Sequence, residues 1–394
     1  MDESVPKTYA LVSHESAVEG IWALAASQWK GILDNEDIWM VPAAENCVKT
    51  QKDFKMLDAE VDLASLGIRD RPVDLLVPDK ACFSRGRLAR FHVWSDFFPS
   101  RSFVRVRDRV FISTPYFAVL QLAMSRRPNR FSRAAAEDAA AEDARFRAEL
   151  GLEGKSSTAE ELMRWDNIAR FVRSAQVLCD FMGTYRYVPT TKDEPEGPPS
   201  IVYKQKPIVR PEVLREYLTE IKGVRGMKGA RGIRRARKVA ATAFPLLASP
   251  METMLALMFT LPCDMGGFGL PRPQVNWSLP MEKSARDLFA QDEVVIDFCW
   301  SEQRVAVEYY GWKEHYGGQN KVAADATRAN GLAALGWAVY VVTYKQVCTI
   351  AGVTLLARQV AAGLGMHLAE PSELELLWRS RLLAALLPKS DRQL

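Results

Sequence analysis

The apolar positions of this 394-residue chain change period along its length. Strand-like runs come first: VDLLVP (73–78), RFHVW (90–94) and FVRVRDRVFIS (103–113). In the last of these, alternation sets Phe103, Arg105, Arg107 and Arg109 on one face, with Val104, Val106 and Val110 on the other. An arginine stripe beside aromatics reads either as a nucleic-acid surface or, more ordinarily, as the wet face of a sheet. The stretch RFSRAAAEDAAAEDARFRAELGLEGKSS (130–157) is rich in Ala, Glu and Arg and ends in glycines. That composition predicts an exposed helix or tether rather than a core element. Helical spacing follows in TAEELMRWDNIARFVRSAQVLCDFMG (158–183), and KDEPEGPPS (192–200) is an acidic, proline-rich loop.

From Ser249 the pattern is denser. In SPMETMLALMFTL, Ser249 is placed as N-cap, Pro250 at the first helical position and Glu252 at the third, which gives Glu252 a structural role in a capping box. RPQVNWSL (272–279) reads as a strand, and EVVIDFCW (293–300) with RVAVEYYG (304–311) as a β-hairpin. NKVAADATRANGLAAL (320–335) is a helix, GWAVYVVTY (336–344) a strand and VTLLARQVAAGLG (353–365) a helix. The order is helix, three strands, helix, strand, helix. Without internal repeats, the chain divides into an α+β region at 1–125, a helical connector at 126–200, a basic helical segment at 201–244 and an α/β domain at 245–394.

Composition narrows the class. With 48% hydrophobic and 25% charged residues the chain can build ordinary domain cores. No apolar run approaches the ~20 residues that cross a bilayer, and MDESVPKTYA lacks the plan of a signal peptide, so a cytoplasmic protein without a membrane partner is expected. The six cysteines (Cys47, Cys82, Cys179, Cys263, Cys299, Cys348) show no CxxC pair and no zinc-finger histidine spacing, and are expected as reduced, mostly buried thiols. No GxSxG elbow, Walker loop, Rossmann glycine fingerprint or HExxH sequence occurs, which lowers esterase, NTPase, dehydrogenase and metalloprotease readings.

Charge is uneven. Residues 201–250 carry 12 Lys/Arg against 3 Asp/Glu, while the whole chain is only +4, so the remainder is acidic. KGVRGMKGARGIRRARK (222–238) concentrates Lys222, Arg225, Lys228, Arg231, Arg234, Arg235, Arg237 and Lys238 among four glycines. Such a segment suits a phosphate backbone, with DNA as the expected partner; a solvated linker helix is the plain alternative.

The hairpin carries the candidate chemistry. If Glu302-Gln303 form a two-residue turn, Ser301 faces Arg304, and the same register sets Asp297 opposite Glu308. Cross-strand neighbours are roughly 4.5–5.5 Å apart at Cβ, and two carboxylates so close repel unless a cation or proton intervenes. A hard divalent ion with oxygen ligands resolves that repulsion, and a buried acid paired with an arginine is the alternative.

The set S-P-M-E, P-R-P-Q-V, I-D-F, V-E-Y-Y-G with a following His315, D-x-x-R and G-W-A-V, across about 245–365, resembles the PD-(D/E)XK restriction-endonuclease-like superfamily. More narrowly it is similar to the domain-of-unknown-function 559 group, akin to very-short-patch-repair endonucleases. The resemblance implies a restriction-endonuclease-like core, Mg²⁺ or Mn²⁺ as cofactor, DNA cleavage in bacterial defence or repair, Asp297, Glu308 and Glu252 as metal-binding acids, and Asp325 and Arg328 as a supporting pair. SHESA (13–17), LLVPDK (75–80) and ISTPYFAVLQLA (112–123) resemble regions of abortive-infection antitoxin-type regulators. Two positions depart from the nuclease pattern. Tyr310 stands where the family has a charged residue, and Val341 where an arginine often occurs; Lys313, His315 or Lys321 would have to supply the missing charge. A catalytically silent DNA-binding regulator on the same fold is therefore the second expectation.

Overall fold

The computed structural model describes residues 8–27, 33, 35, 39–42, 46–79, 86–94, 98–124, 133–152, 154–188, 200–221, 231–280, 293–311 and 328–388, with backbone alone at 133–139 and 231. The chain forms two compact units, one of residues 1–127 and 173–245, the other of 128–172 and 246–394. The basic segment thus belongs with the N-terminal region, and the stretch expected as a connector is shared between the units. Among the described residues no helix is long and apolar enough to cross a membrane.

Unit 1 is built on a mixed sheet of β1 (Ala10–Val12), β2 (Val73–Val77), β3 (Ala89–Val93), β4 (Phe103–Arg107) and β5 (Val110–Ser113), ordered β3-β2-β1-β5-β4. All residues of β1, β2 and β5 are buried, the polar Asp74 and Ser113 among them. Its helices begin with α1 (His14–Ala26), α2 (Gln51–Val61) and α3 (Pro115–Met124).

The arginine stripe does not form. FVRVRDRVFIS is a hairpin, β4 turning into β5 at Asp108-Arg109, with Arg109 at φ +69° and a bulge between Arg105 and Arg107. Its arginines are absorbed locally: Arg105 pairs with Asp108, Arg107 donates to the Val61 carbonyl at 2.6 Å, and Arg109 donates to the Thr8 carbonyl at 2.7 Å and pairs with Glu60.

Two further helices follow, α4 (Arg133–Glu149) and α5 (Ala159–Met182). The expectation of an exposed tether fails at the end of α4, where Asp143, Phe146 and Arg147 are buried in unit 2. The Asp143 carboxylate there accepts from Arg147 at 3.1 Å, Ser157 Oγ at 2.6 Å and Arg381 at 2.6 Å. Alanine-rich composition concealed one buried ionic anchor. Unit 1 is completed by the hairpin β6 (Tyr185–Val188) and β7 (Ser200–Tyr203) and by helices α6 (Pro211–Glu220) and α7 (Arg231–Thr242).

Unit 2 continues with α8 (Pro250–Thr260), β8 (Gln274–Pro280), β9 (Glu293–Trp300), β10 (Val305–Tyr310), helical residues 328–334, β11 (Ala338–Thr343), α9 (Tyr344–Val347), α10 (Ile350–Gly363) and α11 (Glu373–Leu386). The sheet order is β11-β10-β9-β8, antiparallel except for the parallel β10–β11 pair. This is a mixed α/β arrangement. The helix at 328–334 stops where Gly336 enters the left-handed region at φ +81° and Trp337 N–H returns to the Leu332 carbonyl at 3.1 Å. Leu332 and Trp337 then pack with Val294, Ile296, Cys299 and Ala306 in the core. The five described cysteines are free thiols; Cys47, Cys179 and Cys299 are buried, Cys263 and Cys348 half-buried.

Candidate functional site

The site is organised by strand register. The β9–β10 pairing runs from Val305↔Trp300 to Val307↔Phe298, and one step further the same register sets Glu308 against Asp297. The turn that fixes it is closed by Arg304 N–H donating to the Ser301 carbonyl at 3.3 Å. On one side of β9, β8 pairs Val275↔Phe298 and Trp277↔Ile296, leaving Asn276 and Asp297 facing each other between these pairs. On the far side of β10, Glu308 lies beside Val341 of β11. Asn276, Asp297, Glu308 and Val341 therefore form one row across the sheet.

Helix α8 brings the third acid. Ser249 caps it by accepting from Glu252 N–H at 3.2 Å. The Glu252 carboxylate accepts from Ser249 Oγ at 2.9 Å, from Ala248 N–H at 2.8 Å and from Asn276 Nδ2 at 3.3 Å. The cap differs in one respect from the expected reciprocal box: the backbone donor is Ala248, one residue before the N-cap.

Electrostatics ties the acids together. Burial first, then the Asp297 charge, raises Glu252 to about 8. Burial and Asp297 likewise raise Glu308 to about 8, against the lowering effect of Arg328. Glu308 is only 2% exposed. One Arg328 nitrogen donates to both its carboxylate oxygens at 2.8 Å and also reaches the Val295 carbonyl. Asp297 accepts from Tyr309 N–H at 2.7 Å. Tyr310, half-buried, ends β10 opposite Thr343.

Two glutamates whose proton affinity is raised beside Asp297 make, with it, a set of oxygens chemically suited to a hard divalent cation. They are not a finished cage. Among the described residues, no group of three or more His, Cys, Asp or Glu side chains is assembled to hold a metal ion. Glu308 is held by Arg328, and Glu252 by the start of α8 and by Asn276.

The remaining expected site residues are dispersed or outside view. Lys313, His315, Lys321, Asp325, Lys222, Arg225 and Lys228 lie outside the described residues, and Arg231 is described by backbone alone. Helix α7 buries Ile233, Ala236 and Val239 and exposes Arg234, Arg237 and Lys238, with Arg235 half-buried. Gly232, one of the four glycines of the basic segment, packs on α3: a Cβ there would lie 2.1 Å from Met124 Cγ. Sequence reasoning did not single out Asn276. Its only signal was residue type, since asparagine tolerates the left-handed φ of +45° found here.

Unit 1 holds a second polar cluster, at the junction of β1 and α1. His14, at φ +51°, stacks on His92 with ring centroids 3.7 Å apart. His92 Nε2 meets Asp74 at 2.8 Å, and Arg90 meets the same oxygen at 3.3 Å. His14 Nδ1 meets Ser13 Oγ at 3.0 Å, and the His14 backbone N–H donates to Gln121 Oε1 at 3.1 Å. Burial, with the His92 and Arg90 charges adding to it, holds His14 well below the usual imidazole range.

No family model, curated protein or solved structure matches this chain.

Proposed function

We propose that unit 2 is a divalent-cation-dependent DNA endonuclease of the PD-(D/E)XK type, akin to very-short-patch-repair enzymes, using Mg²⁺ or Mn²⁺. The observation that carries the reading is the concentration of Glu252, Asp297 and Glu308 around one row of the sheet, where Asp297 raises both glutamates. These three acids would hold the cation; bound there, it would polarise a phosphodiester and lower the pKa of its water. Arg328 balances Glu308 in the cation-free state. Tyr310 offers a neutral hydroxyl at a position that is charged in the resembled family. The basic segment 222–238 would contact the phosphate backbone without reading sequence, its exposed Arg234, Arg237 and Lys238 being the described part.

The Glu308–Arg328 ion pair and Tyr310 favour a second reading, a DNA-binding regulator with a silent nuclease fold. Supercoiled plasmid separates the two. The endonuclease nicks it with Mg²⁺ or Mn²⁺ and stops in EDTA; a protein that binds the plasmid but leaves it closed in both cations is the regulator.

A further inference from the structure

We propose that Asn276 is the positioning residue of the acidic site, tying the carboxylate of α8 to the row of acids on the sheet. The inference rests on the cation-site reading above and adds to it a residue that no motif marks.

Asn276 sits in the middle of β8 with left-handed backbone, φ +45°, where neighbouring residues keep regular pairing with β9. A non-glycine residue held there costs energy that the surroundings must offset, and such positions cluster at functional sites. What the conformation achieves is visible in the amide. Asn276 Nδ2 donates to the Leu246 carbonyl at 2.8 Å and to Glu252 Oε2 at 3.3 Å, using both of its hydrogens. Leu246 is itself left-handed, at φ +62°, and lies six residues before Glu252. One side chain therefore fastens the lead-in to α8 and the carboxylate that α8 presents, while its backbone stands opposite Asp297. The remaining donors to Glu252 come from Ala248 and Ser249, on the chain segment of α8 itself; Phe259 packs the far end of α8 on Phe298 and Trp300, and among the described hydrogen bonds to Glu252 the one from the sheet is that of Asn276. A cation shared by an acid on a helix and acids on strands depends on that relation, because outer hydrogen bonds orient the ligating oxygens.

The test is Mn²⁺ affinity measured by calorimetry on the full chain, for wild type, Asn276→Gly, Glu252→Gln and the double variant. Glycine accepts the left-handed backbone, so the variant removes the amide while keeping the conformation. The expected result is affinity about 10-fold weaker in Asn276→Gly, the usual scale for an outer-shell partner, with no further loss when it is added to Glu252→Gln. Wild-type affinity in Asn276→Gly overturns the positioning role while the cation site stands. An equal loss in both backgrounds also overturns it, since Asn276 would then act through the fold and not through Glu252. Absence of Mn²⁺ binding by the wild type removes the cation-site reading and this inference with it. A second variant, Asn276→Asp, keeps size and backbone tolerance but cannot donate when ionised. Without metal, it should speed amide hydrogen exchange across residues 246–252 about 10-fold, as loss of an anchoring bond opens a helix start; unchanged exchange contradicts the clamp.

Discussion

In unit 1, Asp74 meets His92 and Arg90, and the stacked His14 is hydrogen-bonded to Ser13 and Gln121. In unit 2, Asp297 raises the proton affinity of Glu252 and Glu308, and Arg328 pairs with Glu308. Both clusters bury a carboxylate, Asp74 in the first and Glu308 in the second, and both surround an aspartate, yet their balance differs. The first pairs its acid with basic neighbours inside the fold, as a structural cluster does. The second gathers Glu252, Asp297 and Glu308 with Arg328 among the described contacts, and Asp297 raises the proton affinity of both glutamates. Burial alone does not distinguish a structural polar cluster from a candidate site; the charge of the described groups gathered round the aspartate, basic in one and acidic in the other, does.

Removing the central acid from each cluster should give the largest contrast. Asp297→Asn or Glu308→Gln should cut cation-dependent plasmid nicking at least about 100-fold, for a loss of several kcal/mol of transition-state stabilisation. Metal-free thermal stability of Asp297→Asn should hold or rise, because like-charge repulsion is relieved. Asp74→Asn should do the reverse, leaving nicking intact and costing about 2 kcal/mol, since its partners lose a charged acceptor and Arg90 is half-exposed. A plasmid assay beside thermal melts checks both, and equal destabilisation by Asp297→Asn and Asp74→Asn breaks the comparison.

The pH responses should oppose each other. His14 has a folded pKa below its unfolded value, so below about pH 6.5 the unfolded state takes up a proton that the folded state refuses. Unit 1 therefore loses stability as pH falls through that range. Glu252 and Glu308 have folded values raised to about 8, so their contribution is full below the unfolded value near 4.5 and is lost as pH rises through about 8. Measured by hydrogen exchange relative to the intrinsic rate at each pH, protection of residues 10–26 should fall from pH 7.5 to 5.5, while that of 305–310 should rise. His14→Asn, which tolerates the left-handed backbone, should flatten the first response. Parallel responses in the two segments would remove the electrostatic distinction.

The smallest effect is expected on helix α7. Replacing Arg234, Arg237 and Lys238 with alanine should weaken binding to unrelated duplexes alike, and flatten log K against log[salt] by up to ~0.9 per lost phosphate contact. Fluorescence anisotropy at several salt concentrations measures this. An unaltered slope makes the exposed face of α7 a solvated surface.

The comparison also shows what the sequence could reveal. The row Asp297–Glu308 was legible because a two-residue turn fixes register, and register is arithmetic once both strands are apolar enough to recognise. The helix start at Ser249 was legible from its cap. The cluster around His14 was not, because Ser13, Asp74, Arg90, His92 and Gln121 come from four separate elements and share no spacing. Asn276 was hidden differently, inside a run read correctly as a strand, where only backbone conformation sets it apart. The arginines at 105–109 misled because alternation assumed one strand, whereas Asp108 and Arg109 turn the chain. Composition likewise hid the buried anchor at Asp143, whose partner Arg381 lies far along the chain.

The most direct test of the central claim is a calorimetric titration of Mn²⁺ into the full chain and its Asp297→Asn variant at pH 7, in two buffers of different ionisation heat. The gathering of Glu252, Asp297 and Glu308 predicts saturable binding by the wild type with release of protons, since burial and Asp297 raise the proton affinity of both glutamates, and loss of that binding in Asp297→Asn. No saturable binding by the wild type, or equal binding by the variant, would contradict the account.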